Sequence, residues 1–542
     1  MSKPDSQKTL FDFFSETANL HPNAPAFTFL DSDLNATEYS YQQLLNASED
    51  VAGRLRQFGF RAATPVGILL QSQEGQVIHY LAALSAGLIP AILTPQNRKL
   101  RPEIFEMTIK SLVDSCGFSA IITDTTDLNV DATLLEPLTL NITNRSERCA
   151  DPVGQTAILQ FTSGTTGVKR GVQISPEAMF SALQSYAPAI DLTRSDTILS
   201  WLPLYHDMGF FACLNMPLAF GVHCIMMNPL DWVSNPGMFI RAASRYRATL
   251  SWNPNFAYAF MADRIADEQL KGLDLSSLRG LINCAEPVTL ESQHRFQTRF
   301  TPFGLNKDVF RGCYAMAETT FALTDGSASD LNYLDSLGPT GSDLVLKLPQ
   351  ISVGRALPGV DLAIVDEDAR QVADRNLGEL WVKAPFLFSG YYNNPDATAA
   401  AMHEGWYKTG DLGYRIGLEY FVCSRKKDLL ILNGVNIFPQ DVEELVSSVN
   451  GVIAGRVVAF SQFSEQFQSE MLIVLAESAA ASTEKSDIII RIRQAILAMF
   501  QVANFQVHLL ASMWLVKSSS GKIARQTNKA KWFNEEMKRS AE

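Results

Sequence analysis

The residues with the densest chemistry in the sequence are Leu159-Gln160-Phe161-Thr162-Ser163-Gly164-Thr165-Thr166-Gly167-Val168-Lys169-Arg170-Gly171. The apolar run from Ala157 to Phe161 predicts a buried strand, and it opens into hydroxyls and glycines with no bulk. Backbone N–H groups and hydroxyls in such a loop can surround phosphate oxygens. The Gly-Lys-Ser/Thr ending of a Walker loop is missing, so the spacing excludes the P-loop pattern. Taken alone, the stretch reads equally well as an exposed connection between a strand and a helix.

The segments around this loop alternate as an α/β sheet requires. Ser40 and Gln43 form a capping box, and Leu44, Leu45, Val51, Leu55 and Phe58 recur at helical spacing until Gly59. Val66–Leu70 and Ile89–Leu93 read as strands flanking a helix over Gln76–Ala86, a βαβ unit that implies a parallel sheet. A helix over about 102–115 and a strand at Ala120–Thr123 lead into the loop. After the loop, a helix is predicted from Pro176, with strands at Thr197–Trp201, His223–Met227, Thr249–Trp252, Gly280–Cys284 and Val309–Cys313. Ligands of open α/β sheets sit beyond the carboxyl ends of such strands. Four loops are therefore expected to converge: Thr162–Arg170, Asn253–Asn255, Ala285–Pro287 and Tyr314–Thr320. From about residue 326 to Phe421 the segments shorten into a mainly β subdomain, and Ser424–Asp428 reads as a charged linker to a smaller α/β piece.

Composition narrows the class. A chain of 542 residues is too long for one core and predicts roughly three to four structural units. Hydrophobic residues at 46% and charged residues at 19% describe a globular protein rather than a disordered one. The net charge of −12 argues against nucleic acid as a partner. Seven cysteines without a C-x-x-C pair fit neither a disulfide framework nor a zinc site, and a cytoplasmic location is expected. The first residues lack the apolar core of a secretory signal, and Asn215, Pro217 and His223 interrupt Phe210–Met227 as a membrane span.

Several separated motifs carry a resemblance. Ser200-Trp201-Leu202-Pro203-Leu204-Tyr205-His206-Asp207-Met208-Gly209, Asn253-Pro254-Asn255-Phe256-Ala257-Tyr258, Asn283-Cys284-Ala285-Glu286-Pro287-Val288 and Cys313-Tyr314-Ala315-Met316-Ala317-Glu318-Thr319 occur in order. Over about residues 10–530 the chain resembles the adenylate-forming superfamily of acyl-CoA synthetases, peptide-synthetase adenylation domains and luciferases. Within it, the chain is most similar to fatty acyl-AMP ligases. That resemblance implies a large N-terminal domain of parallel α/β sheets with a β subdomain (1–424, with about 326–421 mainly β), a hinge at 425–428, and a small mobile C-terminal α+β domain (429–542). It also implies ATP and Mg²⁺, formation of acyl-AMP with loss of pyrophosphate, and transfer of the acyl group to a thiol.

The resemblance assigns roles residue by residue. Thr162, Ser163, Gly164, Thr165, Thr166, Gly167 and Arg170 would hold phosphates, and Glu318 with Thr162 would hold Mg²⁺. Ala285, Glu286 and Pro287, with Cys313, Tyr314, Ala315 and Met316, would line the nucleotide, Tyr314 stacking on adenine. Asp411 would accept from the ribose hydroxyls and Arg425 would contact the ribose. Lys427 matches the hinge, His206 would gate the acyl entrance, and Lys522 in Lys517-Ser518-Ser519-Ser520-Gly521-Lys522-Ile523 would bridge the attacking carboxylate and the α-phosphate. On local grounds the same residues also read as turn residues, core aromatics and solvated surface charges.

The chain departs from the family pattern at Lys169-Arg170 in place of Pro-Lys, at Ala315 and Ala317, and at Val516, where a proline commonly precedes the lysine loop. The segment that hinders CoA use in fatty acyl-AMP ligases would fall in 326–352. With Pro203-Leu204-Tyr205-His206 in place of an aspartate that would anchor an α-amino group, an apolar acid is expected, with Trp252, Asn255, Phe256, Ala257 and Phe260 lining its tunnel. Residues 425–542 hold 14 Lys and Arg against 12 Asp and Glu, leaving 31 against 45 in residues 1–424. The small domain is thus the less repulsive surface for an acidic acyl carrier protein, the partner expected to receive the acyl group. CoA is the alternative acceptor, and an inactive nucleotide- or acyl-binding relative is the other reading.

Overall fold

A computed structural model describes residues 8–96, 102–125, 128–137, 156–162, 169–326, 334–335, 339, 349–432, 435–464, 469–502, 504–517 and 522–541. The capping box is present: the Gln43 N–H donates to the Ser40 hydroxyl at 3.2 Å, and the Ser40 N–H to the Gln43 side chain at 2.8 Å. The helix it starts, Tyr41–Gln57, buries Leu44, Val51 and Leu55. The expected βαβ unit lies in a four-stranded, wholly parallel sheet ordered Ile89–Ile92, Pro65–Leu69, Ala120–Thr123, Thr133–Leu135.

A seven-stranded sheet forms the second layer, ordered Phe310–Gly312, Gly280–Cys284, Leu250–Pro254, Thr197–Ser200, His223–Met227, Pro25–Leu30, Ala36–Ser40. Its strands run parallel except for the last, which pairs antiparallel with Pro25–Leu30. The carboxyl ends of Leu250–Pro254, Gly280–Cys284 and Phe310–Gly312 therefore open at one edge, as a parallel sheet requires.

The glycine-loop strand differs from expectation. Ile158–Phe161 leads not into a helix but into a hairpin, because Gly171–Ile174 returns antiparallel beside it. Gly390–Tyr391 adds a third strand by pairing with Val172 and Gln173. The helix expected from Pro176 follows, capped by the Ser175 hydroxyl.

The run Phe210–Met227 is a π-helical turn, Phe211–Asn215, followed by Met216–Phe220 and a sheet strand. A wide turn frees a backbone carbonyl; Asn215, buried within it, donates to the Phe210 carbonyl at 2.9 Å and accepts from the Tyr80 hydroxyl at 2.7 Å. Among the described residues no helix is long and apolar enough to cross a membrane.

The β subdomain is an antiparallel sheet of Asp361–Val365, Gly378–Lys383, Trp406–Ile416 and Met402–His403, with Glu419–Arg425 beside Trp406–Ile416. In the charged cluster that precedes the smaller domain, Ser424 and Arg425 end a strand, and Lys426–Asp428 form a 3₁₀ turn.

In the smaller C-terminal domain Ser469–Glu477 lies between Val457–Ser464 and Phe505–Leu510, with helices Pro439–Ser447, Lys485–Phe500 and Arg525–Ala541. Its two apolar clusters share no member with the large cluster, whose last buried residue is Tyr420. Phe438 packs on Leu412, Tyr414 and Phe421, which joins the strand pair to the smaller domain.

The two parts also meet at a like-charge pair. Burial first, and the Glu291 carboxylate second, push the Glu444 carboxyl up to about 7 from an ordinary 4.5. A raised folded pKa means the folded chain holds the extra proton between those values, so stability is lost as pH rises through that window. Glu444→Gln is expected to leave urea stability unchanged near pH 4 and to raise it at pH 8 by up to about 3 kcal/mol. A gain independent of pH would contradict this origin.

Candidate active site

Chemistry begins where the hairpin closes. The Thr162 N–H donates to the Arg170 carbonyl at 3.2 Å, and the Arg170 N–H reaches the Thr162 hydroxyl at 3.4 Å. Ser163, Gly164, Thr165, Thr166 and Gly167 lie outside the described residues. The two cations that end the loop diverge. Lys169 turns inward, donating to the Thr94 hydroxyl at 3.1 Å, and its burial lowers its pKa. Arg170 stays exposed, its guanidinium 5.0 Å from the centre of the Tyr391 ring, within cation–π range.

Tyr391 in turn donates its hydroxyl to Glu318 Oε1 at 2.8 Å. Glu318 stands on the 3₁₀ turn Ala317–Thr319, where the Thr319 hydroxyl reaches the Met316 and Phe321 carbonyls and the Phe388 N–H donates to the Glu318 carbonyl. This places a guanidinium and a carboxylate on one tyrosine. No group of three His, Cys, Asp or Glu able to hold a metal occurs among the described residues. A site with a single carboxylate fits Mg²⁺, which takes its other ligands from phosphate oxygens and water.

Next along the sheet edge, Cys313, Tyr314 and Met316 are buried, and Ala315 bridges to Ala322. The Tyr314 hydroxyl donates to Asp411 Oδ2 at 2.6 Å, and Arg425 Nε meets Asp411 Oδ1 at 2.7 Å. Both Asp411 oxygens are thus engaged, one by Tyr314 just past the strand Phe310–Gly312 and one by Arg425 at the end of the strand Glu419–Arg425. Burial raises the Asp411 carboxyl above its ordinary range, while Arg425, Tyr314 and Lys522 each pull it back.

The Ala285–Pro287 loop turns at Ala285, whose φ of +74° is the left-handed region that a β-carbon disfavours. The turn aims Glu286 at the start of helix Asn255–Arg264, where Glu286 Oε1 accepts from the Phe256 N–H at 3.3 Å. Asn255 is saturated: its Oδ1 accepts from Asn283, the Thr289 N–H and the Ser292 hydroxyl, and its Nδ2 donates to Thr289.

Of the expected tunnel residues, Trp252 and Ala257 sit in the core, the Trp252 indole donating to the Tyr186 hydroxyl at 3.0 Å. Phe256 and Phe260 keep partial exposure and pack against Trp232, whose ring stacks on Trp201 with centroids 3.6 Å apart.

His206 caps the short helix Asp207–Phe210 in extended conformation, 4.9 Å from the Tyr205 ring. The Gln160 side chain, on the strand that enters the glycine loop, donates to the Tyr205 carbonyl at 2.8 Å. Lys427 is exposed on its 3₁₀ turn, and Asp428 beside it accepts from Arg525 at 2.8 Å.

Lys522 completes the site from the smaller domain. Burial raises the carboxyls of Asp207, Glu286 and Asp411, and in each case the Lys522 ammonium opposes the rise. These acids stand at a helix start, just past a strand and within a strand, and one ammonium acts on all of them. Lys517, at the root of the same loop, lies 5.5 Å from the Phe256 ring centre and also acts on Glu286. The structure thus draws together Thr162, Arg170, Glu286, Glu318, Tyr314, Asp411, Arg425 and Lys522. Tyr391 and Asp207 escaped the sequence reading: each acquires meaning only from a partner distant in the chain.

Known proteins resemble the chain over most of its length. Residues 14–392 match the family described as AMP-binding enzyme. A 4-hydroxyphenylalkanoate adenylyltransferase of Mycobacterium marinum is 26% identical, covering 98% of this chain and 92% of its own. The medium-chain-fatty-acid–[acyl-carrier-protein] ligase JamA of Moorena producens is 27% identical, covering 98% and 96%. A solved structure from studies of fatty acyl-adenylate ligases from E. coli and L. pneumophila superimposes with a TM-score of 0.85 at 26% identity, covering 97% of each chain.

The Tyr314–Asp411 contact yields a pH test. The hydroxyl favours the ionised carboxylate, so its removal costs most when Asp411 is charged. Tyr314→Phe is expected to lose about 1.5–3 kcal/mol of urea stability at pH 8. That loss should shrink as the pH falls through the raised pKa of Asp411 and the group protonates. A loss that grows on acidification would reverse the assigned sign.

Proposed function

We propose, from the premise that this chain belongs to the AMP-binding enzyme family, that it is a fatty acyl-AMP ligase serving an acyl carrier protein. A carboxylate oxygen of the acid attacks the α-phosphorus of ATP, and the bond to pyrophosphate breaks in line. A thiolate then attacks the acyl carbon of the adenylate and AMP leaves. Such a displacement asks little covalent chemistry of the protein, so positioning and charge compensation dominate.

The observation that carries this reading is the Lys522 ammonium acting on Asp207, Glu286 and Asp411 together. With an acid and a triphosphate added to three carboxyl groups, the lysine supplies positive charge where negative charge concentrates. Arg170 and the Thr162 hydroxyl hold phosphate oxygens, while Asp411, oriented by Tyr314 and Arg425, accepts from the ribose hydroxyls. The Ala285–Pro287 turn and Tyr314 border the base, and His206 stands at the acyl entrance. Glu318, oriented by Tyr391, would hold Mg²⁺, which when bound neutralises phosphate charge. Lys427 is the hinge about which the smaller domain turns between the two steps.

The half-exposed Phe256 and Phe260, backed by Trp232, favour an apolar acid. The names of the two relatives reported above specify a 4-hydroxyphenylalkanoate and a medium-chain fatty acid, and JamA's name specifies a carrier protein. The buried free thiols, with Cys213 pushed up to about 12 by desolvation, suit the reducing cytoplasm we infer for the chain.

ATP–pyrophosphate exchange over a panel of fatty and aryl-alkanoic acids tests the first step. Lys522→Ala should lower exchange by about 10²–10³-fold, and Tyr391→Phe by about tenfold or more through loss of the hydroxyl on Glu318. Full exchange by the lysine variant would overturn the assignment, and no exchange with any acid would favour a silent nucleotide-binding relative. Offered holo-carrier protein and CoA side by side, the enzyme should acylate the carrier. Efficient acyl-CoA formation would instead identify an acyl-CoA ligase.

A further inference from the structure

The loop that ends in Lys522 must be held at its roots if the ammonium is to be placed to within an ångström. Its upstream root is Leu515-Val516-Lys517, and the family resemblance leads one to expect proline at residue 516. Proline fixes φ but has no N–H. Val516 has one, and it is used: it donates to Asn528 Oδ1 at 2.8 Å. Asn528 Nδ2 returns a bond to the Val516 carbonyl at 2.8 Å and a second to the Ala524 carbonyl at 3.0 Å. The side-chain amide thus meets both backbone groups of one residue, as a neighbouring strand would.

Asn528 is 0% exposed, on the first turn of the helix Arg525–Ala541 that follows the loop. The Ala524 N–H also donates to the Val516 carbonyl at 3.1 Å, Lys517 and Ile523 form a β-bridge, and the Leu515 N–H donates to the buried Glu477 at 2.6 Å. The bonds from Val516 and Lys517 join the segment before the loop to the residues just after Lys522, and Glu477 holds Leu515 from the sheet.

We propose that Asn528 is a positioning residue for Lys522, a clamp that takes over from proline stiffness in setting where the ammonium sits. The proposal rests on Lys522 acting in adenylate formation. It requires no contact between Asn528 and substrate. Its energetic logic is that a buried amide with three satisfied bonds resists displacement, whereas its loss strands the Val516 N–H and takes one bond each from the Val516 and Ala524 carbonyls. A misplacement of about 1 Å can cost on the order of 10²-fold in rate.

Asn528→Ala in the full chain tests this through three readouts. ATP–pyrophosphate exchange should fall about 10–100-fold. Acyl transfer from supplied acyl-adenylate should stay within about twofold of the unmodified chain, since the proposed role of Lys522 is in the first step. Backbone hydrogen exchange should accelerate across residues 513–524 and nowhere else. Asn528→Asp, which keeps the acceptor for Val516 but not the two donors, should fall between. Adding Val516→Pro to Asn528→Ala removes the stranded N–H and should restore part of the exchange activity.

Unchanged pyrophosphate exchange in Asn528→Ala would overturn the proposal. So would an equal fall of both steps together with the thermal midpoint, since that is the mark of a merely structural role. If the unmodified chain supports no exchange with any acid, the functional reading fails on its own account. Hydrogen exchange over 513–524 then decides the clamp: acceleration sustains it and no change overturns it.

Discussion

One ammonium group set against three sequestered carboxyls is the constraint on which the site depends. Asp207 begins a short helix, Glu286 follows a parallel strand, and Asp411 lies within the β subdomain. Burial opposes ionisation in all three, and Lys522 opposes that effect in all three. Buried charge is expensive without compensation, so the smaller domain, by bringing in the lysine, stabilises the larger one's carboxylates. Their recess is where a triphosphate and an acid would add further negative charge.

The remaining architecture presents and aligns these groups. Parallel strands end at one edge, which collects the Glu286 and Tyr314 loops there without long excursions of chain. Hydroxyl and guanidinium contacts then orient the acids individually: Tyr391 on Glu318, and Tyr314 with Arg425 on Asp411. The smaller domain has its own core, so Leu515 and Val516 at the root of its lysine loop are held from within by Glu477 and Asn528. Arg525, three residues past Lys522, spans Asp428 and Glu443 and so ties the loop's far flank to the 3₁₀ turn between the domains.

Local patterns told most of the fold. Ser40 with Gln43 announced a capped helix, and the strands His223–Met227 and Gly280–Cys284 had the bounds that apolar runs between polar or glycine residues suggest. The return strand Gly171–Ile174 was not legible: four residues between a basic loop end and a helix cap carry too little periodicity to signal β structure. That Ser424 and Arg425 end a strand was not legible for a related reason, since charges on a strand end look like charges on a loop until the partner strand is known. Within the site, motif residues were readable because their types are unusual together. Tyr391 was not, because an aromatic 73 residues from Glu318 gives no sign of which carboxylate it will meet. Asp207 likewise needed the folded position of Lys522.

The most direct measurement is a crystal structure of the chain with a sulfamoyl analogue of an acyl-adenylate, its sulfamoyl group standing in for the α-phosphate. The account predicts the Lys522 ammonium within about 3 Å of the analogue's acyl or sulfamoyl oxygens, with Asp411 on the ribose hydroxyls. An analogue bound in the same recess while Lys522 points into solvent would contradict it.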